Sequence, residues 1–171
     1  MTGTSLACEA DAAFERLLEQ AVDDRDVSAF DALQNYIELH PGLLVNFTEF
    51  ILPRLRESQT VFKPLVAGLR IDADRLHHAL EQDPIHLLAS LCLLADFECR
   101  GIQEMLAQIV PLASESLLYA FIGMAENESL CALRALNQGM TADQLAVLAK
   151  SAGAYHSTYP ALVKPLFRLF R

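Results

Sequence analysis

The sequence has no tryptophan and, among 171 residues, only seven glycines, seven prolines and three lysines. Its glycines are scattered, so none belongs to a glycine-rich turn whose backbone amides would cradle a phosphate. It also contains no Gly-x-Ser-x-Gly nucleophile motif and no His-Glu-x-x-His zinc motif. These absences leave no familiar nucleotide-binding or hydrolytic site from which to infer an enzyme.

Basic residues and long apolar runs are also scarce. Lys and Arg number 13 against 22 Asp and Glu, which gives a net charge of -9. A nucleic-acid-binding surface needs clustered Lys and Arg, so we expect no nucleic acid among the partners. The strongest apolar stretch runs from Ile85 to Phe97, contains His86 and Asp96, and is shorter than the ~20 residues that cross a bilayer. We therefore expect no stable membrane insertion.

The four cysteines, Cys8, Cys92, Cys99 and Cys131, form no Cys-x-x-Cys pair. Cys92 and Cys99 are seven residues apart, so they are predicted to face the same way from one apolar helix, in a buried structural role. Scattered thiols without a secretion signal fit a reducing compartment, and we expect a cytoplasmic protein. The low ratio of Lys to Arg, together with many Ala, indicates a GC-rich bacterial genome.

The abundant residues are helix formers. Leucine and alanine number 30 and 24, whereas valine and isoleucine together number 15. Leu and Ala lose little side-chain freedom in a helix, while β-branched residues favour strands. Hydrophobic residues make up 53% of the chain and mean hydropathy is +0.25, which excludes intrinsic disorder. This surplus indicates either a large core or apolar surface left for a partner.

The apolar spacing predicts an all-α fold of about ten helices, arranged as an irregular multi-helix bundle or a short HEAT-like array in a single domain over residues 1–171. A kink or break is expected near Leu52, because Pro53 follows it. The sixth helix is apolar nearly all round between Leu87 and Phe97, so we expect it at the centre of the fold. The predicted helices cover Glu9–Asp23, Ser28–Leu39, Leu43–Arg56, Val61–Leu69, the Asp72 cap to Gln82, a stretch opened by Asp83 and Pro84, Ile102–Val110, Ser114 or Ser116 to Ala125, the Asn127 cap to Leu136, and a Thr141–Gln144 capping box onward to Ala152.

A weak internal repeat is visible within this helical pattern. Residues Ile71–Leu76 match Met140–Leu145 at an offset of 69, and Gly101–Leu106 resembles the same helix start. In this respect residues 65–152 resemble a HEAT-type array of helix pairs. A helical bundle whose helices share similar N-caps would give the same pattern.

Two Asp-x-x-His pairs, Asp74 with His77 and Asp83 with His86, are candidates for chemistry. Doubled carboxylate–histidine pairs at i, i+3 build metal sites in helical bundles, which gives an alternative function. On this alternative the protein is a small helical enzyme or a metal- or ligand-binding bundle that uses Asp74, His77, His78 and His86. However, Asp83 precedes a proline, so its carboxylate is predicted to cap the backbone instead. We favour that interpretation, with no metal and no cofactor.

Charge changes along the chain. Residues 1–60 have a net charge of -7, residues 61–120 of -4 and residues 121–171 of +2. The C-terminal segment mixes cations with Leu and Phe, and it is predicted either to dock on the last helices or to bind an acidic partner groove or a membrane surface. Docking is favoured, because Phe and Leu at this density rarely stay exposed. The predicted partner-binding residues are Lys164, Leu166, Phe167, Arg168 and Phe170.

The leading hypothesis is a non-enzymatic adaptor or scaffold module. The surplus of apolar residues and the missing catalytic motifs both favour it. The module would bind a protein partner, or another copy of itself, through an apolar groove or its acidic face.

Overall fold

The computed structural model describes residues 12–97, 100–127 and 129–147. Within these residues the chain forms ten helices and no strand, which confirms the predicted all-α fold. Short 3-10 turns at Pro41–Leu43 and Val110–Leu112 precede the third helix and follow the seventh. The helices are α1 (residues 12–18, continued by a π turn over Glu19–Asp23), α2 (Val27–Leu39), α3 (Leu44–Glu57), α4 (Gln59–Ala67), α5 (Ala73–Gln82), α6 (Pro84–Ala95), α7 (Arg100–Ile109), α8 (Glu115–Glu126), α9 (Leu130–Gly139) and α10 (residues 142–147).

Local capping starts several helices where the sequence predicts them. The Asp72 carboxylate accepts a hydrogen bond of 2.9 Å from the Arg75 amide and opens α5. At α10 the capping box is reciprocal: the Gln144 amide donates to Thr141 Oγ1 at 3.2 Å, and the Thr141 amide donates to Gln144 Oε1 at 3.0 Å. Ser114 likewise caps α8. Each cap satisfies backbone N–H groups that have no partner within the helix.

The expected N-cap of α9 is wrong, and of the kink or break expected in α3 the break is excluded. Ser129, not Asn127, caps α9, because its hydroxyl accepts from the Ala132 amide at 3.3 Å. Asn127 instead lies at the end of α8, where its side-chain amide donates to the Gly123 carbonyl. Helix α3 also does not break near Leu52. Pro53 faces solvent, so water can reach the backbone around it and the missing hydrogen bond is tolerated.

The apolar helix α6 lies at the centre of the fold, as its sequence predicts. It contacts α3, α5, α7, α8 and α9. Its side chains Leu87, Leu88, Leu91 and Leu94 are buried, and each contributes about 1.5–3 kcal/mol by leaving water. No described helix, α6 included, is both long and apolar enough to cross a membrane.

The repeat over residues 65–152 stays a prediction. Asp72 and Thr141 do cap helices at corresponding positions, α5 and α10. Similar caps recur at α8 and α9, which lie outside the repeat register. The caps alone therefore do not distinguish a helical array from an irregular bundle.

Helices α7 and α9 approach closely at Gly139, which lies at the end of α9. A Cβ atom at this position would overlap the Ala107 carbonyl oxygen and lie 2.9 Å from Val110 Cβ. The glycines in the described residues all have negative φ. The role of Gly139 is therefore to admit the neighbouring backbone, not to adopt a left-handed conformation.

Replacing Gly139 by alanine should lower the free energy of unfolding by about 1–3 kcal/mol, because α7 and α9 must separate. Gly123 in α8 is the matched control, since a Cβ there meets no heavy atom within 4 Å. Gly123→Ala should stabilise the protein by about 0.5–1 kcal/mol through helix propensity. Urea denaturation of both variants measures the two changes. A Gly139→Ala variant as stable as the parent would contradict the close approach.

Candidate functional site

One surface depression is a cleft of about 600 Å³ between α5 and the turn that joins α2 to α3. We call it the α2–α5 cleft. Leu39, Val45 and Leu87 give it apolar walls. Its polar lining residues are His40, Asp74, Arg75, His78, Gln82 and Asp83.

Simple helix geometry brings these polar side chains to one side of α5. Asp74, His78 and Gln82 are four residues apart, so they follow one helix face. His40 ends α2 and precedes Pro41, which disfavours a helical conformation at His40, and the chain turns there toward α5. Asp74 and His78 of the predicted set therefore meet in the cleft, and His40 joins them.

Asp83 also lines the cleft, whereas His77 and His86 do not. His77 points to another face of α5, where its Nε2 lies 3.1 Å from Glu81 Oε1 rather than beside Asp74. His86 is exposed, with its Nδ1 3.2 Å from Asp83 Oδ1. Within the described residues, no three His, Cys, Asp or Glu side chains are grouped as a metal site would require.

The expected capping role of the Asp83 carboxylate is wrong. Asp83 does precede α6, but its side chain accepts no backbone hydrogen bond at that end. The carboxylate contacts the imidazole of His86 instead, three residues along the chain. Pro84 at the first helical position lacks an N–H, which leaves one fewer donor for Asp83 to satisfy.

Two hydrogen bonds hold side chains that line the α2–α5 cleft. His78 Nε2 lies 3.2 Å from the Gln82 side-chain amide nitrogen, which donates to it. Arg75 donates to the Glu38 carbonyl at 3.1 Å. In the described part of the chain, no carboxylate hydrogen-bonds His40 or His78. A general base is usually oriented by such a partner.

Glu81 is a structural residue that the sequence analysis did not identify. Its carboxylate accepts from the Ser114 amide at 2.8 Å and from the Ser114 hydroxyl, and it also contacts His77. Burial alone would raise the pKa of Glu81, but the hydrogen bonds from Ser114 and His77 outweigh it and lower the pKa. This junction ties the end of α5 to the start of α8, one face away from the cleft.

The second depression is an apolar groove of about 210 Å³ between the start of α2 and α4. We call it the α2–α4 groove. Val27, Phe30, Val61, Phe62 and Leu65 line it. Arg25 and Asp26 line it at the end where α1 turns into α2.

The turn beside the groove is rich in acidic residues. Asp23 is paired with Arg54 through two hydrogen bonds, of 2.6 and 2.8 Å. These bonds from the guanidinium lower the pKa of the Asp23 carboxyl. Asp24 and Asp26 remain exposed on either side of Arg25, so the turn keeps a negative charge at the edge of the groove.

The predicted contact residues Lys164, Leu166, Phe167, Arg168 and Phe170 lie outside the described residues. Comparisons with protein-family models, with curated proteins and with solved structures found no match for this chain.

Replacing Glu81 by glutamine should lower the free energy of unfolding at pH 7 by about 1–2 kcal/mol, because a charged acceptor of three hydrogen bonds is lost. Glu104→Gln, at an exposed position of α7, is the matched control and should change little.

The Glu81 effect should also depend on pH. Because its folded pKa lies below the ordinary 4.5, the stabilisation is fully present above pH 4.5 and is lost as pH falls through the folded value. Urea denaturation at pH 7 and pH 3 should therefore show the gap between parent and variant closing in acid. A gap of constant size would contradict this assignment.

Proposed function

We propose that the protein is a non-enzymatic interaction module whose α2–α4 groove receives the apolar side of a basic, amphipathic segment of a protein partner. The observation that carries the proposal is that an apolar groove and an acidic turn occur at the same place. From the sequence, an apolar groove and an acidic face are alternative binding surfaces. Their common position favours one kind of partner, a basic segment with an apolar side.

Apolar side chains that line the α2–α4 groove are not fully covered by the fold. Val27 is 74% exposed and Val61 is 37% exposed, on opposite sides of the groove. Phe30, Phe62 and Leu65 between them are only partly buried against the core. Grooves lined by apolar side chains bind amphipathic helices, and the bound helix inserts its own apolar residues at positions i, i+3 and i+7.

Acidic residues are in excess both at the turn beside the groove and over the described residues as a whole. Asp24 and Asp26 outnumber Arg25 at the edge of the groove. The described residues as a whole contain 18 acidic and nine basic side chains. Such a field speeds the approach of a basic partner and disfavours an acidic one.

The C-terminal segment has the composition that this groove fits. Lys164 and Arg168 alternate with Leu166, Phe167 and Phe170. We therefore keep these residues as proposed contact residues for the groove. The alternative partner is then a second copy of the chain, whose C-terminal segment would bind in the groove. Light scattering at increasing protein concentration distinguishes self-association from binding to another protein.

The test uses a fluorescent helical peptide of leucine and lysine, with leucine at i, i+3, i+4 and i+7. Val27→Ser should weaken its binding to the full chain about fivefold, because roughly 1 kcal/mol of apolar burial is lost. Fluorescence anisotropy measures the dissociation constant. Added salt should weaken binding further, since the exposed charges are screened.

Ile85→Ser is the matched control. Ile85 is 70% exposed, is β-branched like Val27 and also lies in the first turn of its helix, but it is far from the groove in the chain order and does not line it. This variant should bind the peptide as the parent does. Equal losses in the two variants, or equal binding of a peptide with glutamate in place of lysine, would contradict the proposal.

A second candidate function is small-molecule binding in the α2–α5 cleft. Its volume of about 600 Å³ favours this reading, because ligand pockets typically measure about 300–1,000 Å³. His40, His78 and Asp74 offer hydrogen-bonding groups along mostly apolar walls. Binding needs only these groups, whereas the enzyme alternative also needs an activated one.

Nuclear magnetic resonance with a library of small polar fragments tests this candidate. A fragment in the cleft should shift the ring signals of His40 and His78 and leave those of His77, on the other face of α5, unchanged. His78→Ala should weaken such a fragment several-fold, since one hydrogen bond contributes about 1 kcal/mol. Shifts of equal size at all three rings, or none, would exclude a specific cleft ligand.

A further inference from the structure

The residues that follow α10 in the sequence combine positive charge with apolar side chains. Residues 148–171 contain no aspartate or glutamate and four cations, Lys150, Lys164, Arg168 and Arg171. The described residues carry the opposite charge, with 18 acidic and nine basic side chains. The segment is therefore attracted to the surface of its own chain, and most strongly to a place where acidic and apolar groups occur together.

The last nine residues of this segment have the spacing that an apolar groove selects. Apolar side chains stand at positions i, i+3, i+4 and i+7, which are Val163, Leu166, Phe167 and Phe170. Cations stand at i+1, i+5 and i+8, which are Lys164, Arg168 and Arg171. Helical spacing separates these two sets onto different sides. Pro165 is compatible with it, because a proline in the first turn of a helix removes an N–H group that has no intrahelical partner.

The three aspartates of the turn beside the α2–α4 groove have different partners. Asp23 accepts two hydrogen bonds from Arg54, at 2.6 and 2.8 Å. Asp26 caps α2 and accepts from two amides of its first turn, at 2.9 and 3.3 Å. Asp24 is exposed, and in the described part of the chain no hydrogen bond or ion pair holds its carboxylate. Asp24 is thus the carboxylate of this turn that is available for a cation.

The chain between α10 and Val163 is long enough to reach the groove. Residues 148–162 span up to about 50 Å at ~3.3 Å per residue. A compact domain of this length is about 40 Å across, from a radius of gyration of ~15 Å. A tethered segment has an effective concentration of roughly millimolar order. At micromolar protein concentration, the segment of the same chain therefore competes for the groove better than that of a second copy.

We propose that residues 163–171 bind in the α2–α4 groove of their own chain, with Phe167 and Phe170 against its apolar walls and a cation beside Asp24. The bound segment competes with the protein partner, so the chain itself regulates access to the groove. This inference rests on the proposed function, because it concerns the same groove.

The first test measures occupancy of the groove in the full chain without any partner. Phenylalanine rings in the groove should displace the nuclear magnetic resonance signals of the Val27 and Val61 methyl groups through ring currents. Phe167→Ser combined with Phe170→Ser should remove this displacement. The methyl signals of Ile85, which is exposed and does not line the groove, should stay unchanged. A double variant whose Val27 and Val61 signals match those of the parent would overturn the proposal.

Dilution distinguishes the two sources of the segment. An intramolecular contact does not depend on protein concentration, so the parent spectrum should not change on dilution into the range where light scattering shows a monomer. Val27 and Val61 signals that move to the positions of the double variant on dilution would place the segment of a second copy in the groove. That result would overturn the intramolecular contact.

The second test uses the leucine–lysine peptide that tests the proposed function. The double phenylalanine variant should bind it more tightly than the parent, by about tenfold for a groove that is occupied in about nine molecules of ten. Tyr155→Ser, an aromatic position of the same segment outside residues 163–171, is the matched control and should bind as the parent does. Equal affinity in all three proteins, or an equal gain in the control, would overturn the proposal.

A charge variant repeats both measurements should the phenylalanine variant unfold. Lys164→Glu combined with Arg168→Glu should also release the segment, because both glutamates are repelled by the acidic turn. The variants also separate the two proposals. Peptide binding that depends on Val27 but is the same in the parent and both segment variants would leave the proposed function standing and the inference wrong. Peptide binding that does not depend on Val27 would contradict the proposed function, whereas the methyl signals would still decide whether the segment occupies the groove.

Discussion

The packing of α6 at the centre of the fold is the constraint on which the rest of the structure depends. Five other helices contact it, and Leu87, Leu88, Leu91 and Leu94 are buried among them, so no turn of α6 about its axis would keep this apolar burial. The start of this helix also positions a feature described above, because Asp83 and Leu87 border the α2–α5 cleft.

What the sequence predicts well is local. Apolar spacing gives the helices, because a helix repeats its buried face every three to four residues whatever it packs against. The Asp72 cap and the Thr141–Gln144 box are confirmed, because their partners lie within three residues. Asn127 is the wrong N-cap for α9 because Asn127 and Ser129, two positions apart, are both residues that cap helices. Which of them caps α9 depends on where α8 ends and α9 begins.

The candidate sites depend on long-range contacts, so the sequence predicts them poorly. Asp74 and His78 share a helix face and were foreseeable together, but His40 joins them from another helix. Glu81 contacts Ser114 across 33 residues and also contacts His77 on the same face of α5, which is not the face that lines the cleft. Helical spacing gives the direction of each side chain from its own axis. Helical spacing does not give the residue that each side chain contacts, because tertiary packing determines that contact.

The α2–α4 groove and its acidic edge have a common structural cause. Arg25 adopts a left-handed conformation, φ 56, which is costly for a residue with a side chain. That conformation ends α1 and turns the chain so that Asp26 can cap α2 with its carboxylate. Val27 then occupies the first turn of α2, where it is exposed beside α4. One turn therefore fixes the Asp26 cap, the acidic edge of the groove and the exposed Val27. A partner that bound here would meet a surface that is already ordered, so binding would not need to order it.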